Sequence, residues 1–399
     1  MNPTLLVFRP LPYRWTLGAL VWMVCATTYA GTDFIPHALA RYQHESNLFA
    51  IPEDQAMTDT AGNKRLDDNT QEYSGGIDID HRWREDRFYV TTNYDKFIYQ
   101  YFTKSNHDEF NGTAGIDWVA TRKVKGDLTY QYNRHQVSFG QILNPDPNLS
   151  YIQTDKLVHG SAAYEINSHW SANFGASFLN SKLPDAGLQS FEARQTQYKT
   201  GVLYTGATRL KSGFTVTRET GEYENTQQPG YTRTIFDYTA NYKIGVRTDI
   251  GGSLGHTQQS QATNSNSATT GSFTFTQQAT VKTSYFFRFS RSLDVYDTIA
   301  GSQIVTNGLV GVTWQATQKL SASATYAIGK SHISGSSSSL AFANREDKLK
   351  IATIGIKYTA LRWLTISPHY LYQDRNSDVS RFSFKATTYG IDFDVRFNP

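Results

Sequence analysis

The stretch Thr388-Tyr389-Gly390-Ile391-Asp392-Phe393-Asp394-Val395-Arg396-Phe397 decides the fold. Tyr389, Ile391, Phe393, Val395 and Phe397 alternate without a break against Gly390, Asp392, Asp394 and Arg396. A period of two puts the apolar residues on one face and the polar ones on the other, which is a β-strand with one wet side. The same grammar recurs upstream. Trp170, Ala172, Phe174, Ala176 and Phe178 alternate with Ser171, Asn173, Gly175 and Ser177, and Phe236, Tyr238, Ala240 and Tyr242 alternate with Asp237, Thr239, Asn241 and Lys243. Leu128-Tyr130-Tyr132, Val310-Val312-Trp314 and Ile354-Ile356-Tyr358 repeat it. Helical spacing fits none of these. At the end of a soluble sandwich such a strand would leave an unprotected aromatic edge, which soluble β-proteins avoid.

The connections between strands come in two lengths. Short turns are expected near Glu85-Asp86, Arg122-Lys123, Asn167-Ser168, Gly206-Ala207, Gly245-Val246, Thr283-Ser284, Thr317-Gln318 and Ala360-Leu361. Longer polar stretches fall at 45–71, 136–152, 180–195, 222–233, 258–271 and 331–347, the last containing Ser336 to Ser339. Successive short turns lie roughly 40 residues apart, room for two membrane strands, one tight turn and one long loop. The fold class is therefore all-β: a transmembrane antiparallel up-and-down β-barrel of about 18 strands, with short periplasmic turns and long extracellular loops. Aromatic residues beside the short turns, at Trp83, Trp118, Tyr164, Trp170, Tyr204, Tyr242, Trp314, Tyr358 and Trp363, make an interfacial girdle. A propeller would show a blade motif with signature dipeptides, and none is found. The terminal segment also resembles the assembly signal on the last strand of outer-membrane barrels, carried here by Gly390, Phe393, Val395 and Phe397. The resemblance implies recognition by the barrel assembly machinery. Asn398 and Pro399 follow the Phe on which that pattern usually ends.

The first thirty residues set the compartment. Arg9 and Arg14 are the only charges before Asp33, an apolar run from Trp15 to Ala26 follows them, and Thr28-Tyr29-Ala30 supplies small residues for a signal peptidase. Residues 1–30 read as a cleaved signal peptide and 31–399 as the barrel, since the apolar run is too short for a spanning helix. Cys25, the only cysteine, would leave with the signal peptide, so no disulfide or thiolate metal site is expected. A mean hydropathy of −0.49 excludes a bundle of apolar helices. The 25 Tyr, 23 Phe and 29 Gly beside 3 Met and 11 Pro favour strands with aromatic faces. Loss of Arg9 and Arg14 takes the formal charge from +3 to +1, too little to hold nucleic acid.

Nothing in the chain reads as a catalytic centre, a cofactor site or a metal site. Gly251-Gly252-Ser253-Leu254-Gly255 matches the letters of a nucleophile elbow, but that elbow needs a strand-to-helix turn and no helical pattern follows. His135, His159 and His369 have no partner that sequence reveals and read as polar wall lining. Leu66-Asp67-Asp68-Asn69 and Asn144-Pro145-Asp146-Pro147-Asn148 offer oxygen ligands without the fixed spacing of a calcium loop.

If the apolar parity faces lipid and lipopolysaccharide, the opposite parity names the lumen wall: Asp78, Asp80, Arg82, Asn93, Asp95, Gln131, Asn133, Lys199, Lys211, Asp237, Asn241, Lys243, Arg288, Lys357, Asp392, Asp394 and Arg396. A barrel of this size leaves an aqueous channel unless a loop or partner plugs it. Mixed charge with many hydroxyls and amides suits hydrated carbohydrate better than a strongly selected ion.

The segment Tyr42-Gln43-His44-Glu45-Ser46-Asn47-Leu48-Phe49-Ala50-Ile51-Pro52 resembles the outer-membrane barrel proteins encoded in bacterial exopolysaccharide operons. Their first strand runs into an Asp-Asn-Leu-Phe-like segment followed by Pro, with Ser46 standing here at the Asp position. The resemblance implies a conduit for polysaccharide export, working with a separate periplasmic polysaccharide export protein and inner-membrane partners. A general or sugar-selective diffusion porin is the alternative. An outer-membrane enzyme is a third reading and would need a reactive Ser253. A diffusion porin must be open by itself, whereas an exporter must be closed at rest, and in the export reading loops 45–71 and 136–152 are the first candidates to fold over or into the lumen.

Overall fold

The computed structural model describes residues 31–142, 145–183, 192–206, 209–224, 230–261, 264–296, 301–335 and 344–397. The expected signal peptide lies outside the described residues, as do Ser336 to Ser339, the Ala207 turn position and Asn144.

The strands are β1 (Thr32–Glu45), the short pair β2 (Met57–Thr58) and β3 (Lys64–Arg65), β4 (Asp68–Trp83), β5 (Asp86–Tyr99), β6 (His107–Thr121) and β7 (Val124–Gln136). Then come β8 (Ile152–Glu165), β9 (Trp170–Lys182), β10 (Ala193–Tyr204), β11 (Leu210–Tyr223), β12 (Tyr231–Ile244), β13 (Thr248–Gln261) and β14 (Asn264–Gln278). The last six are β15 (Thr283–Tyr296), β16 (Gly301–Gln315), β17 (Leu320–Gly335), β18 (Asn344–Leu361), β19 (Leu364–Ser377) and β20 (Phe384–Arg396). All except β2 and β3 form one antiparallel sheet of 18 strands, each bonded to its neighbours in sequence. The sheet closes where β1 pairs with β20, from His37↔Arg396 to Glu45↔Thr388. Closure leaves no strand of the sheet without a partner on either side, the condition for strands to cross a bilayer, although β14 and β15 are paired only from Gly271↔Arg291 to Gln278↔Ser284.

The terminal segment that opened the reading is thus a closing strand. Phe393 faces outward between Ala40 of β1 and Ile366 of β19, and the Phe397 ring stacks on Trp363 with centroids 6.2 Å apart. Eight short connections lie on the side of both strand termini. The β4–β5 turn is two residues, Arg84-Glu85, and needs a left-handed Arg84 at φ 58°. Trp83, Tyr164, Trp170, Tyr242, Trp314, Tyr358 and Trp363 are exposed near these turns, while Tyr204 leans on Trp170 at 4.9 Å. Trp118 lies across Gly126, where a Cβ would strike both the indole and the Ser161 carbonyl.

Three expectations about connections need correcting. The stretch 258–271 is mostly strand, because β13 and β14 stay paired up to Gln261↔Asn264. Its Ser, Thr, Gln and Asn residues mimic a loop because both faces of these strand ends are polar. The turns expected at Thr283-Ser284 and Ala360-Leu361 fall instead at 279–282 and at Arg362-Trp363. Connections at 100–106 and 378–383, too short to stand out as polar stretches, were not foreseen.

Candidate permeation pathway

Cross-strand partners in a sheet point to the same side, so the register sorts every side chain. Tyr73, Tyr94, Tyr130, Phe178, Phe214 and Phe236 are 40–50% exposed and form the lipid-facing set. All seventeen residues expected on the lumen wall occupy the opposite parity of β4, β5, β7, β10, β11, β12, β15, β18 and β20.

Several of them meet partners on neighbouring strands. Asp392 accepts from Arg41 at 2.6 Å, Arg41 also reaches Glu72 at 2.7 Å, and Arg396 binds Asp78 at 2.6 Å. Arg87 bridges Asp80 at 2.5 Å and Asp117 at 3.4 Å, and Asn93 donates to Asp95 at 2.6 Å. These pairs cover the wall β20–β1–β4–β5–β6. On the wall β11–β18, Lys211, Lys243, Arg288 and Lys357 have no carboxylate at ion-pair distance among the described residues. Arg82, Gln131, Asn133, Asn241 and Asp394 sit on the inner parity without a described ion pair, and Lys199 feels the charge of Asp237. The histidines are less isolated than the sequence suggested. His135, His159 and His369 lie 3.9, 3.6 and 3.6 Å from Asp155, Asp127 and Asp392 on adjacent strands. Ser253 lies within unbroken β13 with its hydroxyl 2.9 Å from that of Ser272, so the nucleophile-elbow geometry is absent.

Eighteen strands ~4.8 Å apart and tilted by ~40° close a backbone cylinder roughly 35 Å across. Wall side chains cannot fill that width, so any narrowing must come from loops or strand ends that turn inward. The loop from Ser46 to Asp67 brings Leu48, Phe49 and Ile51 against Phe102, Val137, Phe139, Ile142, Tyr151 and Leu183 in one buried apolar cluster. The Phe49 ring lies 4.7 Å from Phe102, edge to face, and 4.6 Å from Phe139. Beneath the cluster, the buried Asp68 carboxylate accepts the backbone N–H groups of Gln100, Tyr101 and Phe102 at 2.9–3.3 Å. Asn47 ties the loop to the carbonyls of Ile51 and Lys385. Gly140, in the loop between β7 and β8, accepts from Arg375 of β19 at 3.4 Å. Five strands separate β7 from β19 around the barrel, so this loop reaches across the bore.

A second narrowing comes from the other side. β14 and β15 part company above Gly271↔Arg291, and the upper end of β15 leans over the inner faces of β12 and β11. Arg233 of β12 donates to the Leu293 carbonyl at 3.1 Å and pairs with Glu219 at 2.8 Å and Asp294 at 3.3 Å. Val295 packs on Ala193, Tyr223 and Tyr231.

Sequence reasoning named the right loops but not the residues that join them. The available signal was a set of apolar residues inside polar stretches: Leu48-Phe49 and Ile51, then Val137, Phe139 and Ile142.

A closed 18-stranded barrel with an aromatic lipid-facing surface and a polar, loop-narrowed interior is an outer-membrane β-barrel of porin type. Solved structures share this fold. Pseudomonas aeruginosa OccK2 (OpdF), crystallised with glucuronate, matches with a TM-score of 0.52 at 9% identity over 92% of this chain and 98% of its own. Pseudomonas aeruginosa OccK9 (OpdG) matches with 0.52 at 10% identity over 92% and 98%. A BenF-like porin from Pseudomonas fluorescens Pf-5 gives 0.52 at 10% identity over 92% and 99%. No family model and no curated protein matches the sequence, so the likeness to exopolysaccharide-operon barrels finds no support there.

Proposed function

We propose that the chain is an outer-membrane diffusion channel for small hydrophilic solutes of sugar size, the reading first held as the alternative to polysaccharide export. The observation that carries it is the pair of inward folds. The apolar cap fixes the 46–67 and 137–151 loops to each other and to β19, and the β15 end narrows the bore from the opposite wall. A bore of roughly 35 Å reduced in this way passes single hydrated molecules and obstructs a thick polymer. The shared fold with porins, one of them crystallised with a sugar acid, supports the same reading. The mixed charges and hydroxyls of the inner parity supply hydrogen-bonding groups for such solutes.

Purified protein in a planar bilayer should conduct steadily, and liposomes containing it should swell in monosaccharides faster than in trisaccharides. A barrel that neither conducts nor swells liposomes, in a strain that loses surface polysaccharide when the gene is deleted, would restore the export reading. That second reading retains one observation in its favour, because a cap joined by buried aromatic rings is also what a polymer exporter needs at rest.

A further inference from the structure

The outer face of a membrane barrel should be apolar, yet cations collect on it at the loop end of β17–β18, where Lys330 and Lys348 share Glu346 at 2.8 and 3.7 Å, and more broadly over β7–β11. Arg134 on β7, Lys156 on β8, Lys182 on β9, Arg194 on β10 and Arg218 on β11 all share the lipid-facing parity of Tyr130, Val158, Phe178, Tyr198 and Phe214. Each lies two to four residues nearer the loop end than an exposed apolar residue of its own strand, about 7–13 Å of rise. That is the height at which hydrocarbon gives way to phosphate in the outer leaflet, and a cation there escapes the cost of burial in lipid. At the same height on β12, β13 and β14 the outward residues are Thr232, Thr234, Gln258, Ser260, Ser265 and Ser267, none of them charged.

The cations are not consumed by neighbouring carboxylates. Lys182 and Arg194 share Glu224 at 3.8 and 3.0 Å, and Arg218 donates to the Thr234 hydroxyl at 2.7 Å. Among the described residues Arg134 donates to the Asp108 backbone carbonyl and is in no ion pair, and Lys156 is in no hydrogen bond or ion pair and lies 6.0 Å from the Tyr132 ring. Asp108, Glu192, Glu222 and Glu224 are the carboxylates of the sector, one fewer than its five cations, and Glu192 and Glu224 lie together at its β10–β11 end, so the excess of positive charge falls on Arg134 and Lys156. Arg134 and Lys156 sit two rungs apart on the same face, at Arg134↔Thr154 and Tyr132↔Lys156, and Lys182 extends the first rung by one strand.

We propose that the outer wall of β7–β11 is a docking surface for the phosphorylated sugar head of an outer-leaflet glycolipid, with its acyl chains on Val158, Phe174, Phe178 and Tyr198. Five strands at ~4.8 Å spacing spread the cations over about 20 Å, which suits a head carrying two or more phosphates better than one phosphodiester. The apolar residues directly beneath them fit the chains of the same lipid.

The test titrates folded full-length protein in detergent with bisphosphorylated lipid A, with the same lipid stripped of phosphate, and with phosphatidylglycerol, reading bound lipid by native mass spectrometry. The bisphosphorylated lipid should bind best. Arg134→Gln with Lys156→Gln should weaken it by ~10- to 30-fold, while Arg291→Gln on β15 should leave it unchanged. Equal binding of the dephosphorylated lipid, equal binding of phosphatidylglycerol, or an unaltered double variant would overturn the proposal. Heat-modifiable migration checks that the double variant is folded, and Lys156→Gln alone, with a smaller loss in the same direction, serves if it is not.

Discussion

The wall and the cap hold their apolar residues for opposite reasons. On the wall, Phe174 and Leu254 are 58% and 67% exposed and find their apolar surroundings in lipid. In the cap, Phe49 is fully buried among residues of four loops and finds its surroundings in the protein. The wall is held by ladders that need no particular side chain at most positions, whereas the cap is held by specific rings and by the hydrogen bonds of Asp68 and Asn47. The two regions should therefore fail separately, and the wall should survive loss of the cap.

The sharpest break in that separation is Phe49→Ala. Truncating a fully buried aromatic costs about 3–5 kcal/mol, more than a small loop cluster can absorb. The loop 46–67 should become protease-sensitive and single-channel conductance should rise several-fold, with the heat-modifiable barrel retained. Loss of the barrel itself would show that cap and wall are one cooperative unit.

Leu254→Arg probes the wall in the same way. Leu254 lies midway along β13 on the lipid side, where a guanidinium costs about 2–4 kcal/mol. Folding into bilayers should weaken by that amount, read from urea titration, while conductance of the folded fraction stays unchanged. A change in conductance would mean that Leu254 does not face lipid.

Closure of the wall gives a third, smaller effect. Phe393→Ala with Phe397→Ala removes the outward ring beside Ala40 at the β20–β1 seam and the stack on Trp363 in the β18–β19 turn, on the other side of β20. The yield of folded barrel in the outer membrane should fall several-fold, by slower recognition of the last strand and a weaker seam. An unchanged yield would leave the terminal alternation as wall only.

The same contrast explains what the sequence reveals. Period-two alternation made the wall legible, down to the parity of Asp78, Lys243 and Asp392, because a strand between lipid and water must repeat every second residue, and the spacing of the short turns gave the number of strands. The cap has no period. Tyr42 to Pro52 is marked in the sequence by a likeness to other barrels and by opening a long polar stretch, but that its Leu48-Phe49 and Ile51 are the centre of the cap depends on which loops meet above the bore. The Asp–His pairs and the inward lean of β15 were equally hidden, since both depend on register between strands distant from each other's local pattern. The polar ends of β13 and β14 misled in the other direction, because a strand wet on both faces carries the composition of a loop.

The smallest effect concerns the rim of the cap and depends on pH. In the β2–β3 hairpin the Asn63 N–H at 2.8 Å is foremost in holding the Asp59 carboxyl below the usual carboxylate range; burial pushes it up, and the Ala61 N–H at 2.9 Å and the Arg65 charge at 3.8 Å add to the lowering. Arg65 in turn lies 3.3 Å over the Tyr101 ring at the edge of the apolar cluster, so Asp59 steadies the rim through one cation. A carboxyl whose folded value is depressed contributes stability that is fully present above its unfolded value of about 4 and is lost as pH falls through the folded one. Between pH 7 and 5 the hairpin should therefore not change, and below about pH 4 it should loosen. Amide exchange at Ala61 and Asn63, corrected for the intrinsic rate, should show protection at pH 6 that declines by pH 3, and Asp59→Asn should remove the pH dependence. Equal protection at both pH values in the unaltered protein would mean that the hairpin is held by its backbone ladder and not by this carboxylate.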